Sequence, residues 1–428
     1  MKTWIYSWIV YPLALGIGMI FGIFRSKVRR TLRLRSWKNH LSLRFHANTP
    51  IEYWIHVASA GELEYAMPIL NELNLIGKKV LVTYYSVSAQ IPVEALPARL
   101  PCVALTVPLP HDGLGLMGEF VKLVRKQGVH TLLLLKYEMW PGLLWECNAH
   151  GVRVILAEAL KPSWFHRKLI HKLSALLAGY ETELEGVDHP HRFVVGDTRV
   201  ERVNERLGSE EPLLVKKLRD ILGTRRAVVC GSMWPEDHEV LTNGLKKIVE
   251  TKTVGSSNSL PDLIWLPHEL DRKFPQKAES DLKQIGYDTL WVEKDADLTQ
   301  VRLSDRPAAF IVFKKGVLVE LYKLGRCAFV GGGFVSNVHN VWEPALAGCR
   351  VACGPEISRA PEASQLSSEG LLKVLTDASS MSLWLKQAVC TNESGRQDEE
   401  VRTRESLARV VETHRGAARR IVDYCEGQ

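Results

Sequence analysis

The chain has 428 residues, 46% of them hydrophobic and 24% charged, a balance that excludes a disordered chain and a length that favours two domains over one core. Its net charge of +7 comes from one end: Lys2, Arg25, Lys27, Arg29, Arg30, Arg33, Arg35, Lys38 and Arg44 all precede the first acidic residue, Glu52. Without those nine, 46 basic residues face 48 acidic ones, so the folded body is not basic overall and the charge pattern argues against nucleic acid as a partner.

The first predicted element is an uncharged run of 21 residues, Trp4–Phe24. As a helix it covers ~30 Å, the thickness of a bilayer core, and predicts a single-pass membrane anchor over residues 1–25. A cleaved signal fits less well, because the basic cluster Arg25-Ser-Lys-Val-Arg-Arg follows the apolar run instead of preceding it. An unusually apolar core helix is the other reading. The positive-inside rule keeps the body cytoplasmic, with the basic juxtamembrane segment 26–50 against anionic membrane lipid. Eight scattered cysteines (Cys102, Cys147, Cys230, Cys327, Cys349, Cys353, Cys390 and Cys425) show no metal-binding spacing and read as small buried side chains in a reducing compartment.

From residue 51 short β-branched runs alternate with helical stretches. Ile51–Ala58, Lys79–Thr83, Val103–Val107, Thr131–Leu135, Val152–Ala157 and Arg192–Val195 read as strands. After a polar helical stretch, Leu207–Leu222, a second set follows: Ala227–Gly231, Asp262–Leu266, Thr289–Val292, Ala308–Phe313, Cys327–Val330, Arg350–Cys353 and Leu371–Leu375. Thr251–Ser259 reads as an exposed loop, and 401–428 as a C-terminal helix that can return to the first domain. The pattern predicts an α/β fold of two Rossmann-like domains, 51–206 and 207–400, facing a central cleft, with ligands at the carboxyl ends of the strands.

The residues with chemistry sit at those strand ends. Ser59-Ala60-Gly61-Glu62 joins the first strand to a helix, where Gly61 allows close approach of a ligand; Glu62 reads either as a site carboxylate or as an ordinary helix N-terminal acid. Glu138, in Lys136-Tyr-Glu-Met-Trp-Pro-Gly142, ends another strand. In the second half Gly231-Ser232, Pro267-His268, Gly331-Gly332-Gly333 and Gly354-Pro355 close strands. His339-Asn340-Val-Trp-Glu343 opens a helix, where backbone amides favour anions and Glu343 can accept from ribose hydroxyls or cap the helix. GxxxxGK[ST], HExxH and GxSxG are all missing, which removes support for P-loop, zinc-hydrolase and α/β-hydrolase sites.

Taken together these segments resemble the Kdo (3-deoxy-D-manno-oct-2-ulosonic acid) transferases of lipopolysaccharide synthesis, GT-B glycosyltransferases. WIHVASAGELEYAMPIL is similar to that family's Ser-x-Gly-Glu segment, KYEMWPGLL to its E-x-E-x-W-P-N, VGDTRVERV to its G-[DN]-x-[RK]-[FY]-D and GSMWPEDHEVL to its Gly-Ser-Thr. WLPHELDRKF resembles its Pro-[RH] motif, GVLVELYKLGRCAFVGGGF its strand-and-glycine segment, and HNVWEPALAGCRVACGP its H-N-x-x-E block. The resemblance covers roughly residues 50–370, in order.

It implies inverting transfer of Kdo from a CMP-Kdo donor to a lipid A precursor (lipid IVA) at the inner membrane, with no metal and no cofactor. Glu62 would be the base, Ser59, Gly61, Glu138 and Lys161 would lie on the acceptor side, and Gly231, Ser232, Pro267, His268, Gly332, Gly333, Asn340 and Glu343 would bind the donor. Four positions depart from the family pattern. Lys136 replaces the first Glu of E-x-E, Gly142 replaces Asn, and Val317 replaces Glu. The Asn-Ala-Arg-x-Ser segment is represented by Leu156–Ser163, its Arg lost or displaced to Lys161. Two other readings stay open: a GT-B enzyme with a different donor or acceptor, and a catalytically weakened, membrane-tethered homologue.

Overall fold

A computed structural model describes residues 6–24, 26–34, 50–113, 115–225, 227–251, 260–389 and 396–427. Two compact units divide the chain: residues to Arg202 with His414–Gln428, and Val203–Thr413.

The first unit holds strands β1 (Tyr53–Val57), β2 (Val80–Tyr84), β3 (Val103–Pro108), β4 (Thr131–Leu135), β5 (Arg153–Ala157), β6 (Ala175–Ala178) and β7 (Arg192–Val194). They form one parallel sheet in the order β3-β2-β1-β4-β5-β6-β7. Strands such as TLLLL of β4 are buried at every position because helices cover both faces of the sheet. Helix Ala60–Leu75 and the C-terminal helix Ala417–Glu426 pack together on one face, where Leu70, Leu73, Ile421 and Val422 join Ile55 and Val82. Helices Leu116–Lys126 and Pro141–Ala149 cover the other, through Phe120, Val124, Leu143 and Leu144.

The second unit repeats the plan with β8 (Ala227–Met233), β9 (Asp262–Pro267), β10 (Asp288–Val292), β11 (Ala308–Val312), β12 (Gly325–Val330), β13 (Arg350–Cys353) and β14 (Leu372–Val374). Their order is β10-β11-β9-β8-β12-β13-β14, again parallel. Strand order reverses between β1 and β4 in one sheet and between β8 and β12 in the other. Such reversals open a crevice at the carboxyl ends of the strands. Two parallel sheets of seven strands make this a GT-B-like α/β fold.

Several expectations need correction. Strand β6 is absent from the sequence reading, because Ala-Leu-Leu-Ala lacks the β-branched residues that mark its neighbours. The helix expected over Leu207–Leu222 is two helices, Thr198–Gly208 and Leu213–Leu222, separated at Pro212. The single terminal helix is also two, Arg396–His414 and Ala417–Glu426, with Gly416 at φ +77° between them. The loop expected at Thr251–Ser259 and the basic residues 35–49 lie outside the described residues. All seven cysteines described are buried and unbridged.

The predicted bilayer-spanning helix over Trp4–Phe24 is not what the described residues form. They give a five-residue π-helix, Tyr6–Val10, followed by a 14-residue α-helix, Tyr11–Phe24. Fourteen residues rise only ~21 Å, short of the ~30 Å hydrocarbon core. Among the described residues no helix is long and apolar enough to cross a membrane. The segment is instead tied to the first unit: Tyr6 donates to Asp112 Oδ2 at 2.8 Å, Tyr11 Oη lies 2.9 Å from His111 Nδ1, and the Tyr6 ring meets Trp145 edge-on at 5.4 Å.

Asp112 is almost wholly buried and also accepts the amides of Gly142 and Leu143, at 2.8 and 2.7 Å, which cap helix Pro141–Ala149. Its own backbone carbonyl occupies the space that a Cβ on Gly142 would need. That explains a glycine where the resembled family has Asn. Replacing Asp112→Ala strands two helix-end amides at once, and a loss of ~2 kcal/mol in urea denaturation is the expected outcome.

Candidate active site

In the first unit β1 ends at Val57, and the next residues turn directly into helix Ala60–Leu75. Ser59 caps that helix: its hydroxyl accepts the Glu62 amide at 3.3 Å. Glu62 reaches back past the cap, and its Oε2 accepts the Ala58 amide at 2.6 Å. One carboxylate oxygen is thus anchored, while Oε1 accepts no hydrogen bond among the described residues. Helix capping and a role in the site are therefore compatible in one side chain. Gly61 is exposed, and a Cβ there would meet only Ser59 Oγ at an ordinary 3.7 Å. Nothing in the fold demands a glycine at this position.

Across the strand-order reversal, β4 ends in Lys136-Tyr137-Glu138. Lys136 adopts φ +58°, a strained conformation for a non-glycine residue and one that recurs at functional sites. Its ammonium lies 3.9 Å from the ring centroid of Tyr65, on the Glu62 helix. Glu138 Oε2 accepts the Trp140 indole N–H at 2.7 Å, and Trp140 stacks on Tyr85 at 5.3 Å. Burial first, and the Glu138 carboxylate second, raise the Glu62 carboxyl to about 7; the Ala58 amide and the Lys136 charge pull the other way. A carboxylate with such a value is charged and basic near neutrality, which suits proton abstraction.

A pocket of ≈ 180 Å³ adjoins Glu138, lined by Tyr6, Tyr137, Met139, Trp140, Pro141, Phe165 and His166. Lys161 does not join this group. It is half exposed and pairs with Glu185 at 3.7 Å, while its backbone amide bonds to Glu183. What the chain does carry at the end of β5 is Glu158, at φ +50° and inaccessible, which accepts the Thr198 amide at 2.8 Å. Burial and the neighbouring Asp197 push its carboxyl up, while Arg199 holds Asp197 well below the usual range against the cost of burial.

In the second unit the residues singled out from the sequence converge at the β8/β12 reversal. Ser232 has φ +55° and breaks the register of β8, so that Met233 pairs with Pro267 and the His268 amide donates to the Met233 carbonyl at 2.9 Å. The His268 ring stacks on both Trp234, at 4.6 Å, and His339, at 4.3 Å, two rings that lie nearly parallel to each other. His339 Nε2 accepts the Trp234 indole N–H at 3.0 Å. Burial, with the adjacent His268, lowers His339 to about 4, so at neutral pH it is an uncharged ring with its hydrogen on Nδ1.

Asn340 Oδ1 accepts the Trp342 amide at 3.1 Å, and its Nδ2 donates to Glu343 Oε1 at 3.2 Å, which aligns the two polar side chains. Gly333 and Gly354 approach so closely that a Cβ on either would strike the backbone of the other loop.

The glycine segment is held by Asp237, which sequence reading did not single out. This inaccessible carboxylate accepts the amides of Gly332 at 2.7 Å, Trp234 at 3.1 Å and Phe334 at 3.4 Å. The Gly331 amide goes to the Gly231 carbonyl at 2.9 Å. The amides of Gly331 and Gly332 are therefore used within the fold, and the contribution of these glycines is the close approach of β8, β12 and β13. Trp234, His339 and Lys136 lie inside the segments quoted from the sequence, where none of them was assigned a binding or catalytic role; membership of those segments was the available signal. Among the described residues no group of three or more His, Cys, Asp and Glu side chains is arranged to hold a metal ion.

A model of the family described as 3-Deoxy-D-manno-octulosonic-acid transferase (kdotransferase) matches residues 30–183. A 3-deoxy-D-manno-octulosonic acid transferase of Aquifex aeolicus is 26% identical over 306 residues, covering 71% of this chain and 75% of that protein. One of Rickettsia bellii is 24% identical over 326 residues, covering 72% and 71%. In fold, the chain is similar to a glycosyltransferase from Rickettsia africae, with a TM-score of 0.59 at 10% identity over 88% of this chain and 98% of the other.

The environment of Glu62 has a consequence for stability. Its folded value of about 7 lies above the ~4.3 of a solvated Glu, so it favours the fold at low pH, and that contribution is lost as pH rises through about 7. Glu62→Gln is expected to be ~1–2 kcal/mol more stable than the parent at pH 8 and little different at pH 4, read by urea denaturation. An equal difference at both pH values would contradict the burial of its charge.

Proposed function

We propose, on the premise that this chain belongs to the 3-deoxy-D-manno-octulosonic-acid (Kdo) transferase family and is a glycosyltransferase, that it moves Kdo from CMP-Kdo to a hydroxyl of a lipid A precursor, lipid IVA, in lipopolysaccharide synthesis. The observation that carries the mechanism is the environment of Glu62: one anchored oxygen, one open oxygen, and a proton affinity matched to neutral pH. Glu62 removes the proton of the acceptor hydroxyl as that oxygen attacks the anomeric carbon of Kdo. The bond from that carbon to the CMP phosphate oxygen breaks, and CMP leaves with the electron pair. Attack from the face opposite the leaving group inverts the anomeric carbon, and the reaction uses no metal.

The donor belongs to the second unit. His268, backed by Trp234 and His339, offers a flat wall beside Pro267, while Glu343, aligned by Asn340, accepts from the ribose hydroxyls. Gly231, Ser232, Gly332 and Gly333 shape the floor on which the nucleotide rests. The acceptor belongs to the first unit, at Ser59, Gly61, Glu62 and Glu138. A different acceptor is the second reading, and Lys136 favours it, since a cation stands beside the base where the resembled family has a carboxylate. Retention of Glu62 with its raised proton affinity speaks against a weakened homologue.

For location, we propose that the protein works at the cytoplasmic face of the inner membrane. Trp8, Ile9, Val10, Leu13 and Ile17 expose about half or more of their surface, a cluster that suits lipid, and the basic residues that follow suit anionic headgroups.

Incubation of the purified protein with CMP-Kdo and tetra-acylated lipid A precursor should give a product heavier by whole Kdo units. A product only with another donor or acceptor would replace the assigned reaction. Glu62→Gln should lower kcat by ~10²–10⁴, and in the parent kcat/KM should rise with pH through a midpoint near 7, as the charged base forms. Gly61→Ala should keep or raise thermal stability, since the fold has room for the methyl group, while raising KM for the acceptor.

A further inference from the structure

Beneath the two carboxylates of the first unit lies a buried polar chain that the reaction as proposed does not use. His56, on β1, is inaccessible to solvent, and its register partner on β2 is Thr83, equally inaccessible. His56 Nδ1 lies 2.9 Å from Thr83 Oγ1. The same oxygen accepts the indole N–H of Trp54 at 2.7 Å, Trp54 being two residues before His56.

A hydroxyl has one hydrogen to give, and for the buried Thr83 hydroxyl the acceptor within reach, among the described residues, is His56 Nδ1. Donation runs Trp54 Nε1–H to Thr83 Oγ1, then Thr83 O–H to His56 Nδ1. An imidazole that accepts at Nδ1 carries its hydrogen on Nε2. That atom is buried, has no hydrogen-bond partner among the described residues, and lies 3.8 Å from Glu138 Oε2. A buried donor left unpaired is costly, and a closure of under 1 Å would satisfy it. Such contacts commonly tighten only when substrate is bound.

We propose that His56 is a positioning residue, set by Thr83 and Trp54 to present an Nε2–H to Glu138 and so to fix that carboxylate, in its charged form, beside Glu62. The inference rests on the assignment of Glu62 as the base. A donor to a carboxylate favours its charged form, and a charged Glu138 strengthens Glu62 as a base. Among the described residues Lys136 and His166 also face this pair: the charge of Lys136 opposes that effect on Glu62, and His166 feels the Glu138 charge and stacks with Tyr137. Trp140 already donates to the same oxygen of Glu138, and His56 would add a second donor to it.

Two measurements on the full-length protein test this. Nitrogen-15 NMR of labelled histidine in the parent should show His56 as the Nε2–H tautomer, and Thr83→Val should weaken that preference. An Nδ1–H tautomer in the parent overturns the proposal whatever the protein catalyses. In parallel, the pH dependence of kcat is compared for His56→Leu, which lacks the donor, and His56→Gln, whose amide N–H falls near the position of Nε2. Expected for His56→Leu is an acid limb moved down by about half a unit to one unit, with kcat ~10-fold lower and KM for the acceptor unchanged, and for His56→Gln a limb close to the parent's. An unmoved limb in His56→Leu overturns the proposal. If His56→Leu does not fold, Thr83→Val carries the same expectation for the limb. A parent inactive with CMP-Kdo would overturn the assigned reaction instead, and the tautomer measurement would still decide this inference.

Discussion

The repulsion between Glu62 and Glu138 is the constraint on which this account depends. Two carboxylates are brought together because strand order reverses between β1 and β4, so the residues that follow those two strands share one crevice. Burial alone would raise Glu62, and a second negative charge raises it further; an amide and a lysine limit the cost. The result is a base that holds its proton well above the ordinary carboxylate range and releases it near neutrality. The anchoring at Ala58 and the strained turn at Lys136 are the local means by which the fold keeps that pair in place.

Most of the scaffold is legible in the sequence because both sheets are parallel and covered on both faces. Strands of that kind are short apolar runs between turn residues, and Thr131–Leu135 and Arg350–Cys353 have the bounds that the sequence suggests. Where the signal fails, it fails for physical reasons. Ala-Leu-Leu-Ala in β6 has no strand preference of its own and owes its conformation to pairing between β5 and β7. The N-terminal run has the composition of a spanning helix, but hydropathy does not register that Tyr6 and Tyr11 have partners in His111 and Asp112.

The candidate site is legible in part. Glu62 and Glu138 are marked by strand-turn-helix context, and the donor-side glycines by their clustering. Asp237, Trp234 and His56 are not, because their roles depend on partners far away in the chain: Gly332 for Asp237, His339 for Trp234, Thr83 and Glu138 for His56. Lys161 shows the converse. Its position in a segment similar to a family motif suggested a site cation, yet its ammonium pairs with Glu185 near the surface, and the interior position at the end of β5 belongs to Glu158. Departures from a motif thus divide into those that packing explains, as Asp112 explains Gly142, and those that alter the electrostatics of the site, as Lys136 does.

The most direct measurement is the titration of the Glu62 side-chain carboxyl, followed by carbon-13 NMR in the parent and in Glu138→Gln. The account predicts a midpoint near pH 7 in the parent and a lower one when Glu138 loses its charge. A parent midpoint near the ~4.3 of a solvated Glu, or a midpoint that ignores the Glu138 substitution, would contradict it.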